Sequence, residues 1–470
     1  MDNIILKTDS YKLTHWQQYP AGTTTVYSYF ESRRGATFPY TVFFGLQYIL
    51  RRHLAGKVVT RDYIEQAAAL CRDHFGSDSR FNRAMWERIL YFYEGQLPLK
   101  IKAVPEGMIV PENNVMMTVE NTDDCCAPLT NGVESLLTHV WYPCTVATLS
   151  HTVKGIVRKA LEKSSDNMDG LKYMLHDFGY RGVSSHESAE IGGAAHLVNF
   201  VGTDTVPALM LLAEYYNNDG ATDNLGFSVP ATEHSIMTAL GRDGEIDVVR
   251  QLIEDYPAGV LSVVGDSYNI YYFVDHIVGR LFKKQIENRT GVFVVRPDSV
   301  TPLHSSPTSQ MVWILESLWK NFGGVVNSKG YKVICPKVRA LWGDGINKNG
   351  IDEILTAVMN FGFSAENIAT FGMGGGLLQK INRDTQRFAF KSSWQERNGV
   401  GYDIFKQPKD TSKISKKGKL KLVRRSDGTV ETVSYRDPRG DIMETVFLNG
   451  QLTRFANIHE IRRRAEMSLT

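Results

Sequence analysis

Between residues 170 and 372 the chain repeats one device: a short apolar, β-branched run that ends in a polar or acidic residue, then a helix-like stretch. The runs end at Asp177 (YMLHD), Asp204 (VNFVGTD), His234 (FSVPATEH), Asp266 (LSVVGD), Asp298 (VFVVRPD), Asp344 (VRALWGD) and Gly372 (IATFG). Successive ends lie 27, 30, 32, 32, 46 and 28 residues apart. A strand–helix–strand unit takes roughly 30 residues. Parallel strands need such crossovers and are covered on both faces, so their runs are apolar rather than alternating. Seven units in one direction point to a closed or nearly closed α/β barrel rather than an open sheet. In such barrels the active site gathers at the C-terminal strand ends, where these acids and the histidine fall. Any one acid alone reads equally well as a helix N-cap; seven in phase do not all read that way. The 46-residue gap leaves room for an inserted segment around Asn327 to Cys335.

Outside the repeat the texture is mixed. Thr24 to Phe30, Leu99 to Val104, Asn114 to Val119 and Glu444 to Asn449 read as strands, and Tyr63 to Phe75 and Ile458 to Met467 as helices. The expected organisation is therefore an irregular α/β barrel over residues 146–385 beside an α+β domain built from both termini, 1–145 and 386–470. The 53 basic residues against 51 acidic ones leave a net charge of +2, which draws the chain to neither nucleic acid nor an anionic membrane. Five cysteines, odd in number and without a C-x-x-C, argue against a disulfide framework and for a cytoplasmic setting. No apolar run approaches the ~18 residues of a membrane span, and the 12 histidines lack metal-ligand spacing.

Several motifs sit at the predicted strand ends. Phe371-Gly-Met-Gly-Gly-Gly376 runs from a strand into a helix start, where backbone N–H groups and the helix dipole favour a phosphate. It matches neither a dinucleotide fingerprint nor a Walker loop, and a plain tight turn is the alternative. Arg296-Pro-Asp298 sets a guanidinium fork beside a carboxylate, suited to oxygen ligands or to a local salt bridge. Gly343-Asp344-Gly345 suits a ribose diol. His176 to Gly182 (HDFGYRG) offers an aromatic face beside Arg181, and Glu233-His234 pairs an acid with a strand-end histidine. Between Lys406 and Arg425 stand nine basic residues and one acid, Asp410. That stretch reads as a solvated face or a phosphate-facing loop. It lacks the interleaved aromatics of a single-strand nucleic-acid platform.

Taken together, TDSYKLTHWQQYP (Thr8 to Pro20), HDFGYRG, GTDTV, SVPATEHS, RPDS, GDG and FGMGGGLLQK resemble the nicotinamide phosphoribosyltransferase family of type II phosphoribosyltransferases, in its bacterial or phage form. The resemblance runs in order from about residue 5 to about residue 465. It implies condensation of nicotinamide with phosphoribosyl pyrophosphate to nicotinamide mononucleotide and pyrophosphate, coupled to ATP hydrolysis and requiring magnesium. It also implies a homodimer with shared active sites. Under that resemblance Phe178 would stack on the pyridine, with Tyr11 and Asp9 of the partner subunit on its other side. Asp204 would accept from the carboxamide NH2 and Arg296 donate to its carbonyl. Ser262 would join the substrate-binding set, Arg181 would hold phosphate, and Asp298, Gly343 and Asp344 would hold ribose. Gly374, Gly375 and Arg383 would take the 5′-phosphate, and Arg33, Lys391 and Lys416 pyrophosphate or ATP. His234 would accept phosphate from ATP, oriented by Asp266 and Glu233, and Asp266 and Asp298 would hold magnesium through water. Val300, Gly265, Met373 and His186 depart from the family pattern without removing a functional side chain.

The chemistry agrees with these roles. A pyridine nitrogen is already an unprotonated nucleophile, so the step needs charge stabilisation rather than a base. A nicotinate or quinolinate enzyme is the nearest rival, and Asp204 argues against both, because like charges at contact cost several kcal/mol. A non-catalytic barrel and a nucleic-acid binder are the rivals from other classes.

Overall fold

The computed structural model describes residues 3–217, 225–407, 409 and 414–467. The chain divides into two units, one of Met1–Thr148, Leu212–Ala221 and Asn382–Thr470, the other of Leu149–Leu211 and Thr222–Ile381. Among the described residues no helix is long and apolar enough to cross a membrane, and all five cysteines are free.

The second unit is the barrel. Its six parallel strands are Leu175–Asp177, Gly202–Thr203, Ala258–Val264, Thr290–Arg296, Val338–Trp342 and Ile368–Met373. They pair in sequence order apart from one gap, and the last returns to the first, with Gly372 opposite His176 and Met373 opposite Asp177. The run expected to end in a strand at His234 does not form one. Pro230 has no N–H and cannot sit in a ladder, so Phe227–Thr232 crosses the gap on isolated bridges, each of two backbone hydrogen bonds. Thr203 donates to the Phe227 carbonyl at 3.0 Å on one side, and Ser262 donates to the Pro230 carbonyl at 2.9 Å on the other. Isolated parallel bridges at Gly202–Phe227 and Ala231–Ser262 mark this irregular closure.

Helices cover the outside because each buries one apolar stripe. Pro307–Phe322 buries Met311, Ile314, Leu315 and Leu318, and starts on a Ser306 cap whose hydroxyl accepts the Ser309 N–H. Lys348–Asn360 buries Ile351, Ile354, Leu355 and Val358 behind an Asn347 cap. The long gap after Asp298 holds a small hairpin, Gly324–Val326 against Lys332–Ile334. The barrel interior is not fully packed: a cavity of about 410 Å³ runs along Val260, Ser262, Val294, Leu341 and Thr370.

In the first unit, strands from both ends of the chain interleave in a seven-stranded antiparallel sheet. Its order is Val400–Asp403, Phe388–Arg397, Thr23–Ser32, Val115–Asn121, Leu99–Ala103, Glu444–Leu448, Gln451–Leu452. Helix Arg61–Phe75 begins on the Thr60 hydroxyl and stops at Gly76, whose φ of 67° favours glycine. A buried carboxyl lies in this unit. Glu106 accepts the Gln47 N–H at 2.7 Å, where helix Leu46–Ile49 starts. Its second oxygen is buried without a hydrogen bond, and the nearby Arg464 donates to the Glu106 backbone carbonyl instead.

Burial pushes the Glu106 carboxyl up to about 7, against the pull of the N–H groups it faces. An acid raised in the folded state keeps its proton while the unfolded chain releases it. Stability should therefore be greatest below about pH 4.5 for this group and decline as pH rises through about 7, by up to about 3 kcal/mol. Denaturant unfolding at about pH 5 and pH 8 should show that decline in the wild type, and Glu106→Gln should flatten it.

Candidate active site

The C-terminal rim of the barrel collects the strand-end side chains. His234 opens the short helix His234–Met237 and is about half exposed. Its Nε2 lies 3.0 Å from Asp266 Oδ1, and its Nδ1 lies 3.8 Å from Asp298 Oδ2. The buried Asp266 is fully engaged, because its Oδ2 also accepts the Asp298 N–H at 3.0 Å and the Ser299 hydroxyl at 2.6 Å. A carboxylate with no spare oxygen is an anchor, and it holds the ring through Nε2; in the neutral imidazole that donates this bond, the lone pair lies on Nδ1. Glu233 does not share in this: its carboxylate takes the Ser235 hydroxyl, and the second acid beside His234 is Asp298.

Asp298 also receives Arg296 Nη2 at 2.7 Å, while Arg296 Nε is buried without a partner. The guanidinium lies 5.1 Å from the centre of the Phe178 ring, close enough for a cation–π contact. Glycines make room for that ring. A Cβ on Gly372 would fall 2.0 Å from Phe178 Cε2, one on Gly343 would fall 3.1 Å from the same atom, and one on Gly374 would meet the Phe178 carbonyl at 3.2 Å. Asp344 follows Gly343 at the rim, and burial together with the charges of Asp298 and Asp266 raises its carboxyl. Gly375 opens the four-residue helix Gly375–Leu378, and a Cβ there would meet nothing within 4 Å. Arg181 is exposed on the Tyr180–Gly182 turn. His186 bonds the Tyr180 hydroxyl at 2.9 Å and Glu190 at 3.0 Å. The unusual Gly265 is sterically required, since a Cβ there would meet the Phe273 ring at 2.2 Å.

Asp204 is gripped from both sides. Its Oδ1 receives His176 Nε2 at 2.8 Å and the Ser228 hydroxyl at 2.6 Å. Burial works to raise its carboxyl, but the bond and charge of His176, the Ser228 bond and the charge of Arg296 together hold it below the usual carboxylate range. His176 and Ser228 both stand in the quoted motifs, but nothing in the sequence marks either as a partner of Asp204. Ser262 is buried, and its hydroxyl has no partner where it faces the barrel cavity. Not every strand-end acid serves the rim: the fully buried Asp177 caps the Gly179 N–H at 2.7 Å.

The first unit holds a separate cluster. Asp9, Tyr11, Arg33, Arg383 and Lys391 line one cavity of about 390 Å³, together with Glu134 and Ser135. Arg33 Nε and Nη2 are buried without hydrogen bonds. Burial lowers the Lys391 ammonium; Glu134 opposes that, and Arg33, Lys406 and Arg383 add to it. Buried cations with spare donors are built for an anion. Tyr11 is 57% exposed, its ring edge-on to His15. Lys416 is not free for an anion, because its ammonium bonds buried Glu31 and Asn113. Of the basic stretch, residues 408 and 410–413, including Asp410, lie outside the described residues.

Comparison with known proteins now decides the family. Residues 173–451 match the model of the "Nicotinate phosphoribosyltransferase (NAPRTase) family", and residues 3–101 match "Nicotinamide phosphoribosyltransferase, N-terminal domain". The chain belongs to the nicotinate phosphoribosyltransferase family. A nicotinamide phosphoribosyltransferase of Xanthomonas campestris pv. campestris is 43% identical over 99% of this chain and 98% of its own length. One of Acinetobacter baylyi is 33% identical over 98% and 96%. In fold, the chain is similar to a nicotinate-nucleotide pyrophosphorylase from Pyrococcus furiosus, with a TM-score of 0.59 and 14% identity over 99% and 96% of the two chains. It is also similar to human nicotinic acid phosphoribosyltransferase, with a TM-score of 0.55 and 14% identity over 98% and 93%.

As a member of this family the chain is a phosphoribosyltransferase, and its rim can be tested for a divalent cation. No group of three or more His, Cys, Asp or Glu residues among those described is arranged to hold a metal ion directly. Asp266 has no open oxygen, whereas Asp298 and Asp344 crowd one another's charge. That donor set fits a hydrated magnesium ion, which keeps its waters and leans on one or two carboxylates and substrate phosphates.

The Phe178 seat gives a direct prediction. Gly372→Ala should push the ring out of place and lower kcat/KM for phosphoribosyl transfer by at least about tenfold. Thermal melting of the variant should stay within about 4 °C of the wild type, since the added methyl meets one side chain. Unchanged turnover in a steady-state assay would remove Phe178 from the site.

Proposed function

We propose that the chain is a nicotinamide phosphoribosyltransferase acting in NAD biosynthesis and salvage. It joins nicotinamide to phosphoribosyl pyrophosphate and releases nicotinamide mononucleotide and pyrophosphate. The observation that carries this reading is that Asp204 lies within the field of Arg296, whose guanidinium stands against the Phe178 ring. A carboxamide offers an NH2 donor and a carbonyl acceptor on one planar group. A carboxylate with an open oxygen and a guanidinium answer those two needs, and an aromatic ring answers the flat face. A nicotinate carboxylate would meet Asp204 as a like charge. The names of the Xanthomonas and Acinetobacter relatives support the same substrate.

The pyridine nitrogen attacks the ribosyl C1 as the C1–O bond to pyrophosphate breaks, and no proton moves. The residues therefore hold and orient. Phe178 and Arg296 fix the ring, while Asp298, Gly343 and Asp344 hold the ribose. Arg181 and the Gly374–Gly375 backbone hold the 5′-phosphate. A hydrated magnesium ion, when bound, would supply charge neutralisation to the departing pyrophosphate; Asp298, with Asp344 beside it, would hold its water shell, and Asp266 would act by fixing the Asp298 backbone N–H. Coupling to ATP runs through His234. Nδ1 attacks the γ-phosphorus, the bond to the ADP oxygen breaks, and the Nε2 proton stays on its bond to Asp266.

The enzyme works as a cytoplasmic homodimer in which the anion cavity of one subunit, with Asp9, Tyr11, Arg33, Arg383 and Lys391, serves the barrel of the other. The exposed Tyr11 and the Arg33 donors left without hydrogen bonds support that sharing.

Mass spectrometry of products should show nicotinamide mononucleotide favoured over nicotinate mononucleotide and increased by ATP. Asp204→Ser should shift that preference toward nicotinate by about tenfold or more. An unchanged product ratio in the variant sinks the role of Asp204. Incubation with γ-labelled ATP should leave an acid-labile, base-stable label on the wild type and none on His234→Asn. Equal labelling of both proteins would rule out His234 as the acceptor.

A further inference from the structure

Asp204 owes its setting to its neighbours across the sheet. Gly202, two residues earlier, pairs with His176 on the first barrel strand and bridges to Phe227 on the closing segment. That lateral pairing puts His176 on one flank of Asp204 and Ser228, next to Phe227, on the other. Both donate to the same oxygen, Oδ1, at 2.8 Å and 2.6 Å. The backbone is cut to fit: a Cβ on Gly202 would lie 2.8 Å from His176 Nδ1, so the ring lies across a position that only glycine can leave open. His176 is buried and lines the barrel cavity.

We infer that His176 and Ser228 are the positioning residues that make Asp204 selective for a carboxamide over a carboxylate, by tying up one of its oxygens and presenting only the other. The inference rests on the substrate reading given above. A free aspartate offers two oxygens and about four lone-pair sites, and its terminal torsion is broad. Such a group can swing away from an anionic substrate. It can also take up a proton and donate an O–H to that substrate. Each escape admits nicotinate. The clamp closes both, because two donors on Oδ1 fix the torsion and favour the ionised form. The charged groups facing Asp204 are His176, Arg296 and the buried Asp177. The first two favour its charge and Asp177 opposes it, so losing His176 leaves the balance tilted toward protonation.

The test is kcat/KM for nicotinamide and for nicotinate with the full-length enzyme and three variants. His176→Leu and Ser228→Ala each remove one donor, and His176→Gln keeps an N–H near the place of Nε2. The nicotinamide-to-nicotinate ratio should fall about tenfold in His176→Leu and in Ser228→Ala, and it should stay within about threefold of the wild type in His176→Gln. In the two depleted variants nicotinate use should also rise as pH falls from about 8 to about 6. Equal losses for both substrates would make the pair merely structural and overturn the inference, as would His176→Gln behaving like His176→Leu. Should His176→Leu fail to fold, Ser228→Ala decides alone, since it removes one hydroxyl from an exposed residue. A wild type that itself prefers nicotinate refutes the substrate reading, whereas the shift of the ratio between wild type and variants tests the clamp.

Discussion

A parallel strand cannot return to its neighbour by a tight turn. It must leave at one end, cross the outside as a helix and re-enter at the other. Repeated in one direction, that requirement brings every strand's C-terminal residue to a single rim. Phe178, Asp204, Asp266, Asp298 and Asp344 follow five different strands and share a surface for this reason, while His234 joins them from the bridged segment. The six strands pair in chain order, and the bonds of the Phe227–Thr232 segment span the remaining gap. The chemistry of the rim is thus a by-product of the winding, with each crossover supplying one or two side chains.

The winding was legible because its signal is long: six gaps, most near thirty residues, each flanked by apolar runs. The strand-end acids were legible for the same reason. What escaped was set by single contacts. Pro230 removes one N–H and turns an expected strand into a pair of bridges, an effect smaller than the window over which periodicity is read. Asp177 has the same sequence setting as Asp204, yet its carboxylate turns inward to the Gly179 N–H. Glu233 and Asp298 are both acids near His234, and only the tertiary approach shows that Asp298 is the one beside the ring. Lys416 reads as a free cation in a basic stretch, while the buried Glu31 that claims it lies 385 residues away in the chain. Gly265 departs from the family pattern for a reason eight residues downstream, the Phe273 ring.

Electrostatics at the rim are organised by giving each carboxylate a different fate. Asp266 spends both oxygens on protein donors and becomes an anchor. Asp204 spends one and offers the other. Asp298 divides itself between Arg296 and the neighbourhood of His234. Asp344, whose carboxylate receives no donor among the described residues, bears the repulsion of the other two and is the acid whose charge a cation or a hydroxyl would most relieve. Four acids of one chemical type thus acquire four roles through the number of N–H and O–H groups each receives.

The contact between Phe178 and Gly372 joins the first strand of the barrel to the last, with almost the entire unit threaded between them. Loop closure over such a span carries the largest entropic cost of any pairing in the barrel, and the cost falls once the intervening strands have shortened the path. The aromatic seat, with Gly343 and Gly374 around it, therefore comes into being as the barrel shuts. Without that last pairing the rim would keep its carboxylates and its histidine but have no floor on which a ring could rest, so binding competence depends on closure of the barrel.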